Sequence, residues 1–383
     1  MKLSTRSNIS PFIVMEVMAA AAVREAAGGD VLHLEVGQPS TGAPAGVIEA
    51  AQRALGNDRI GYTLALGLPE LRQRIARHYA DQYAQSVNPE CVVVTTGSSA
   101  GFLLSFLALF DPGSRVAIAS PGYPAYRNIM QVLNIEPVLV ACTAQTGFQP
   151  TPELLAEAAK DGPLDGLLVA SPANPTGSMI DGGAFQALAE HCSKHNMALI
   201  SDEIYHGVTY GKRARTALEF APDAIIINSF SKYFSMTGWR LGWMIVPEPM
   251  LRAVERISQN LFISPPTLSQ HAALAAFDCH DELKRNVEVY AANRELLLRE
   301  LPKAGITGFA PADGAFYLYA DISQLTQDSE QFCRRMLAET GVAATPGVDF
   351  DPANGHKFIR FSFAGSTEIM ADAATRLKRW LDS

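Results

Sequence analysis

Short apolar runs alternate with segments of helical period through the middle of this chain. The runs Cys91–Thr95, Arg115–Ala119, Pro137–Val140, Gly166–Ala170, Ala198–Asp202, Ala224–Asn228 and Leu241–Val246 read as strands. Most are apolar almost without interruption, the character of strands covered on both faces. Helical patterns such as Ala100–Leu109, Glu153–Ala159 and Ala184–His195 lie between several of them. Strand and helix in alternation predict an α/β fold built on a βαβ sheet, not a sandwich or a bundle.

The texture changes near residue 276. A long charged helix, roughly Asp281–Leu301, leads to a glycine-containing strand near Ala315–Ala320, a helix over Glu330–Thr340 and the alternating strand Phe358–Phe363. This predicts a second, smaller α+β domain. At the other end, Phe12–Val23 reads as a helix with Ser10 as N-cap, Pro11 in the first turn and Gly28-Gly29 at its close. A signal peptide fits that stretch less well, because few basic residues precede it and Glu16 interrupts it.

Composition narrows the partners. A chain of 383 residues is long for one domain, and its 48% hydrophobic and 18% charged residues can bury a large core. The formal net charge of -8 disfavours nucleic acid or an anionic membrane as main partner, since both call for a basic face. No apolar run reaches spanning length. Cys91, Cys142, Cys192, Cys279 and Cys333 are scattered, odd in number and free of any C-x-x-C pair. Neither a disulfide framework nor a zinc ribbon is expected, and a reducing cytoplasm is.

Candidate chemistry centres on Ser229–Gly242, SFSKYFSMTGWRLG. Lys232 sits just past an apolar strand, among the hydroxyls of Ser229, Ser231 and Ser235, with Arg240 eight positions on. Hydroxyls and a guanidinium bind a phosphate, and a lysine amine condenses with an aldehyde. Pyridoxal 5'-phosphate (PLP) carries both groups. Asp202, in ISDEIYHG, closes a buried strand at the carboxyl end, where open α/β sheets bind ligands. A carboxylate there can keep a pyridine nitrogen protonated, and Tyr205 can donate to a phenolic oxygen. TTGSSAGF, Thr95–Phe102, follows one strand and opens a helix. The amides of Ser98, Ser99 and Ala100 there suit an anion, and the string matches neither a Walker loop nor G-x-G-x-x-G. Tyr123, in SPGYPAY, can stack on an aromatic ring. Competing readings are a metal cluster of Asp202, Glu203 and His206, or a zinc pair at His191 and His195, but neither has a further ligand at recognisable spacing.

These strings closely resemble motifs of the fold-type I PLP enzymes of the class I/II aminotransferase family, aspartate/aromatic aminotransferase-like. The resemblance runs from Gly37 to Arg360 and keeps the family's order. It implies a mainly parallel seven-stranded sheet in three layers as a large domain over residues 45–275. A small domain would be built from both chain ends, 1–44 and 276–383. It also implies roles for individual residues. Asn174, in SPANPTG, would bond the phenolic oxygen. Arg360, in KFIRFSFA, would hold the substrate α-carboxylate, with the amide of Gly37, in LEVGQPS, sharing that task. Tyr62, in YTLALGLPELR, would reach the phosphate of a neighbouring subunit, which implies a homodimer. Ser229, Ser231 and Arg240 would complete the phosphate site. The reaction implied is transamination between an L-amino acid and a 2-oxo acid in two ping-pong half-reactions. A C–S lyase or other lyase of the same fold shares these cofactor residues. A PLP-sensing regulator is a third reading, disfavoured by the acidic balance and by a first strong motif near residue 37. Some aspartate-using members place a lysine near the phosphate loop. Ser98 and Ser99 occupy that stretch here, so neutral or aromatic amino acids are expected.

Overall fold

The structure, a computed structural model, describes residues 1–57 and 60–383. Its main feature is a seven-stranded sheet. Across it the strands run Val92–Thr95, Gly242–Ile245, Ile225–Ser229, Ala198–Asp202, Gly166–Ala170, Arg115–Ser120 and Glu136–Ala141. Neighbours pair in parallel except Gly242–Ile245, which is antiparallel to both strands beside it. All seven expected strands are in this sheet. The central ones are buried along nearly their whole length, as their unbroken apolar character requires. The expected strand containing Pro137 is an edge strand with Leu139 exposed, a place where proline's missing N–H costs no ladder bond.

Helices cover both faces, giving three layers. On one face Phe102, Phe106, Tyr126 and Met130 pack against Ile118, Ile200 and Ile227. On the other, Leu71, Tyr79, Phe185 and Leu188 pack against Val94, Leu167 and Ile226.

Residues 307–362 form a separate four-stranded antiparallel sheet in the order Thr345–Pro346, Phe358–Ser362, Tyr317–Asp321, Thr307–Phe309. Alternation holds there. Ile359, Phe361 and Phe363 enter the apolar core, and Arg360 points the other way. The chain's start joins this region: Leu32–His33 pairs in parallel with Val342–Ala343, and the Ser362 amide donates to the Leu34 carbonyl at 2.7 Å.

The first α-helix, α1 (Ile13–Ala26), corrects one expectation. Ser10 lies outside it, and Phe12 holds the cap position without a side-chain bond. The cap comes from far along the chain. The Asp349 carboxylate accepts from the amides of Ile13 at 3.2 Å and Val14 at 3.3 Å. The glycine close is as expected, with Gly28 at φ +83. No helix of the described residues is long and apolar enough to cross a membrane.

Candidate active site

The carboxyl ends of the parallel strands open on one cavity of about 490 Å³, within the ~300–1,000 Å³ of small-molecule sites. Each end of this cavity has a distinct chemistry.

At one end the helix Gly97–Leu109 begins. Gly97 has φ +72, and a Cβ there would lie 2.7 Å from Arg240 Nη2. The Arg240 guanidinium therefore lies against the helix start, where the first amides lack intrahelical partners. Ser98, Ser99 and Ser231 line the same space. Oriented amides, hydroxyls and a cation make an anion cradle. Ser229 does not reach the cavity. Its hydroxyl donates to the Leu241 carbonyl at 3.0 Å and shares a 2.9 Å hydrogen bond with Ser231 Oγ, bracing the loop. Ala100 is buried one position deeper in the helix, and its side chain packs in the core.

At the other end is Asp202, buried at the close of its strand. Tyr126 donates to its Oδ2 and the Ile204 amide donates to Oδ1 at 3.0 Å. Burial raises its pKa to about 6, although both bonds pull the other way. Tyr126 was not among the residues singled out from the sequence. Nothing in SPGYPAY distinguishes it from Tyr123, which lines the cavity and packs edge-on against it at 5.2 Å.

Between the two ends, Lys232 is half-buried and its amine donates to the Gly37 carbonyl at 2.7 Å. Burial lowers its pKa to about 8, helped by repulsion from Arg360 and Arg240. Tyr205 shares a 2.6 Å hydrogen bond with Tyr317.

Arg360 is 3% exposed, and no acidic side chain among the described residues pairs with it. Nη1 donates to Asn174 Oδ1 at 2.8 Å, and Nη2 donates to the Glu35 carbonyl and to Thr345 Oγ1 at 3.2 Å. The guanidinium is sandwiched between the rings of Tyr317, 4.4 Å away, and Phe350, 4.7 Å away. Its Nε has no partner. A buried, rigidly framed cation without a directly paired carboxylate is costly unless an anion arrives to meet it. Gly37 is forced by the same frame, since a Cβ there would fall 1.8 Å from Tyr317 Oη.

Other expected or competing residues lie elsewhere. Tyr62 is 83% exposed and outside the cavity. Arg72, the last residue of its motif, is buried and donates to the carbonyls of Val92 and Glu90 at 2.9 Å each. Glu203 accepts from the Thr216 hydroxyl and the Ala217 amide, each at 2.9 Å, away from Asp202's cavity. His206 Nε2 donates to the Ser171 carbonyl, so Nδ1 accepts from Tyr83, and burial lowers its pKa to about 3. The three residues thus make no common metal centre. Among the described residues no group of three or more His, Cys, Asp or Glu is placed to hold a metal.

An anion cradle, a neutralisable amine and a buried carboxylate share one cavity, and the cradle is a space that a Cβ on residue 97 would fill. PLP presents a phosphate, an aldehyde and a pyridine nitrogen, so these residues fit it. Fold and site together define the fold-type I PLP enzymes. Residues 29–377 match the model of the family described as aminotransferase class I and II. The chain is 50% identical to the valine–pyruvate aminotransferase of Mycobacterium tuberculosis, covering 100% of this chain and 99% of that one. It is 34% identical to the aspartate/prephenate aminotransferase of Thermus thermophilus, covering 97% of each. The crystal structure of an aminotransferase from M. tuberculosis matches with a TM-score of 0.97 at 50% identity, over 100% of this chain and 99% of that one. The chain belongs to the class I and II aminotransferases. It is a PLP-dependent enzyme that transfers an amino group between an amino acid and a 2-oxo acid.

Proposed function

We propose that Lys232 is the residue to which PLP attaches. In this reading Asp202 meets the pyridine nitrogen, and the residues of the anion cradle hold the phosphate. Tyr123 lies against the ring, and Asn174 and Tyr205 address the phenolic oxygen. When bound, the cofactor supplies an electron sink that makes the substrate Cα–H acidic. The Lys232 amine, with its pKa about 8, takes up and returns that proton near neutral pH. Asp202 keeps the nitrogen beside it protonated. Asn174 commits its amide oxygen to Arg360, which leaves its NH2 as the group that donates to the phenolic oxygen. Arg360 receives the substrate α-carboxylate and sets the orientation of the bond that breaks. The observation that carries the reading is Arg360: buried, framed by two rings, and short of an anionic partner.

The amino donor is a neutral amino acid. Among the described residues, Lys232, Arg240 and Arg360 are the cations lining the cavity, and each already has a task. The valine–pyruvate activity named for the M. tuberculosis relative supports a branched aliphatic donor with pyruvate as acceptor. A panel of valine, alanine, aromatic amino acids and aspartate, assayed against pyruvate and 2-oxoglutarate, tests this. Neutral donors should lead, and aspartate outperforming them all would sink the proposal.

The enzyme works as a homodimer. Ile60, Tyr62, Leu64, Leu261 and Ile263 are exposed apolar residues. The segment carrying the first three is tied to the helix that follows Ile263, because Thr267 donates to the Gly61 carbonyl at 2.5 Å and Gln270 donates to Thr63 Oγ1 at 3.0 Å. A second copy covering these exposed apolar residues would bring Tyr62 towards the partner's phosphate. The large domain spans 45–275, and both chain ends, 1–44 and 276–383, make the small one. Five free thiols suit a cytoplasmic enzyme.

A further inference from the structure

The beginning of α1 is apolar where a solvent-facing helix should be polar. Phe12, Met15 and Met18 all line the cavity that holds Lys232 and Arg360. Only Val14 and Ala21 of this helix are buried in the protein, and Met15 is 55% exposed. Apolar side chains left half-wet beside an active site are a surface waiting for an apolar group.

Two contacts hold this wall in register with the site. The α1 amides are capped by the carboxylate of Asp349, whose neighbour Phe350 forms one face of the Arg360 sandwich. The Phe12 ring stands edge-on to Tyr123, with centroids 5.7 Å apart. The wall is thus tied on one side to the frame that receives a carboxylate and on the other to the cavity's aromatic floor. An amino acid whose carboxylate and amine are already engaged has only its side chain left to place. Among the described residues no cation stands on the wall to meet a second carboxylate. Glu16, the one charged residue in this turn, does not line the cavity.

We propose that Phe12, Met15 and Met18 form the side-chain subsite, selecting branched aliphatic groups and rejecting carboxylates, and that Asp349 is the positioning residue that holds it in place. This rests on the neutral-donor reading above. Methionines adapt to several aliphatic shapes, and a methyl branch in such a pocket is worth about 10-fold or more in selectivity.

The test uses the holoenzyme and two readouts. One is the ratio of kcat/KM for valine over alanine. The other is the calorimetric affinity ratio of 3-methylbutanoate over propionate, unreactive acids that differ as valine and alanine do. Met15→Ala, Met18→Ala and Phe12→Ala should each lower both ratios, the combined Met15→Ala/Met18→Ala variant by about 10-fold. Phe12→Leu should retain most of the selectivity, keeping the reading testable if Phe12→Ala misfolds by freeing Tyr123. Asp349→Ala should lower the ratios too, with partial rescue in Asp349→Asn, which keeps one acceptor for the α1 amides. Val23→Ala, on an exposed part of α1, should change neither. Ratios within twofold of wild type in the methionine and Phe12 variants would overturn the subsite. So would equal losses for both acids. If wild type instead binds a dicarboxylate such as succinate more tightly than 3-methylbutanoate, the neutral-donor reading itself fails, a separate result.

Discussion

Replacing Gly37 by alanine probes the carboxylate frame by addition of one methyl group. The new Cβ would lie 1.8 Å from Tyr317 Oη and 2.9 Å from its Cζ. Tyr317 would have to withdraw by roughly 1.5–2 Å to restore an ordinary contact of about 3.5 Å. It is 1% exposed, and its hydroxyl and ring are held by Tyr205 and Arg360. Moving it breaks the 2.6 Å bond to Tyr205, a loss of about 1 kcal/mol. It also weakens the stacking under Arg360, by about 1 kcal/mol, and forces an off-rotamer ring at about 1 kcal/mol. The total of about 3 kcal/mol corresponds to a fall of about 10²-fold in kcat/KM, carried mainly by KM because the carboxylate seat is displaced. Tyr317→Phe removes the atom in closest conflict and leaves Cζ at 2.9 Å, so the ring need move by only about 0.6 Å to reach ordinary contact. That change alone should cost about 1 kcal/mol, and adding Gly37→Ala to it should cost far less than in wild type. Steady-state kinetics on the four proteins of this cycle, with thermal unfolding to establish folding, decide the matter. A Gly37→Ala enzyme within threefold of wild type, or a cost that is the same in both Tyr317 backgrounds, refutes the steric argument.

Other outcomes are equally specific. Lys232→Ala should lose at least about 10⁴-fold in transamination, as nucleophile and general base vanish together, and borohydride should trap PLP on the peptide containing residue 232 only in the wild type. Asp202, raised from 3.8 to about 6 by burial, contributes stability that is present below pH 4 and lost as pH rises through 6. In cofactor-free protein the urea stability of wild type relative to Asp202→Asn should therefore drop by about 2–4 kcal/mol across that window and be level above it. A flat difference would refute the buried-carboxylate assignment. The Tyr126 bond holds Asp202 in its charged form, so Tyr126→Phe should move the acidic limb of the kcat/KM profile upward by about one pH unit. An unmoved limb would show that Tyr126 is only packing.

What the sequence by itself determined was everything carried by local pattern. Apolar runs marked the seven strands, unbroken in the central ones because a strand covered on both faces has no polar position to spare. Chemistry-bearing residues sat just past the strand ends, so Lys232, Asp202 and Ser98 could be singled out before any contact was known, whereas Asn174 was singled out only through the family resemblance of its SPANPTG string. Alternation in KFIRFSFA told the face of Arg360. Tertiary structure decided what depends on residues far apart in the chain. Ser10 was a reasonable cap for α1, but a capping oxygen need not be local, and Asp349 supplies it over a separation of 336 residues. Ser229 had the right type and spacing for a phosphate ligand, yet its loop turns the hydroxyl inward to Leu241. Tyr126 and Tyr317 left no local signal because their significance is a partner, Asp202 for one and Gly37 with Arg360 for the other. Periodicity and spacing record which way a side chain faces; only the packed chain determines what it meets there.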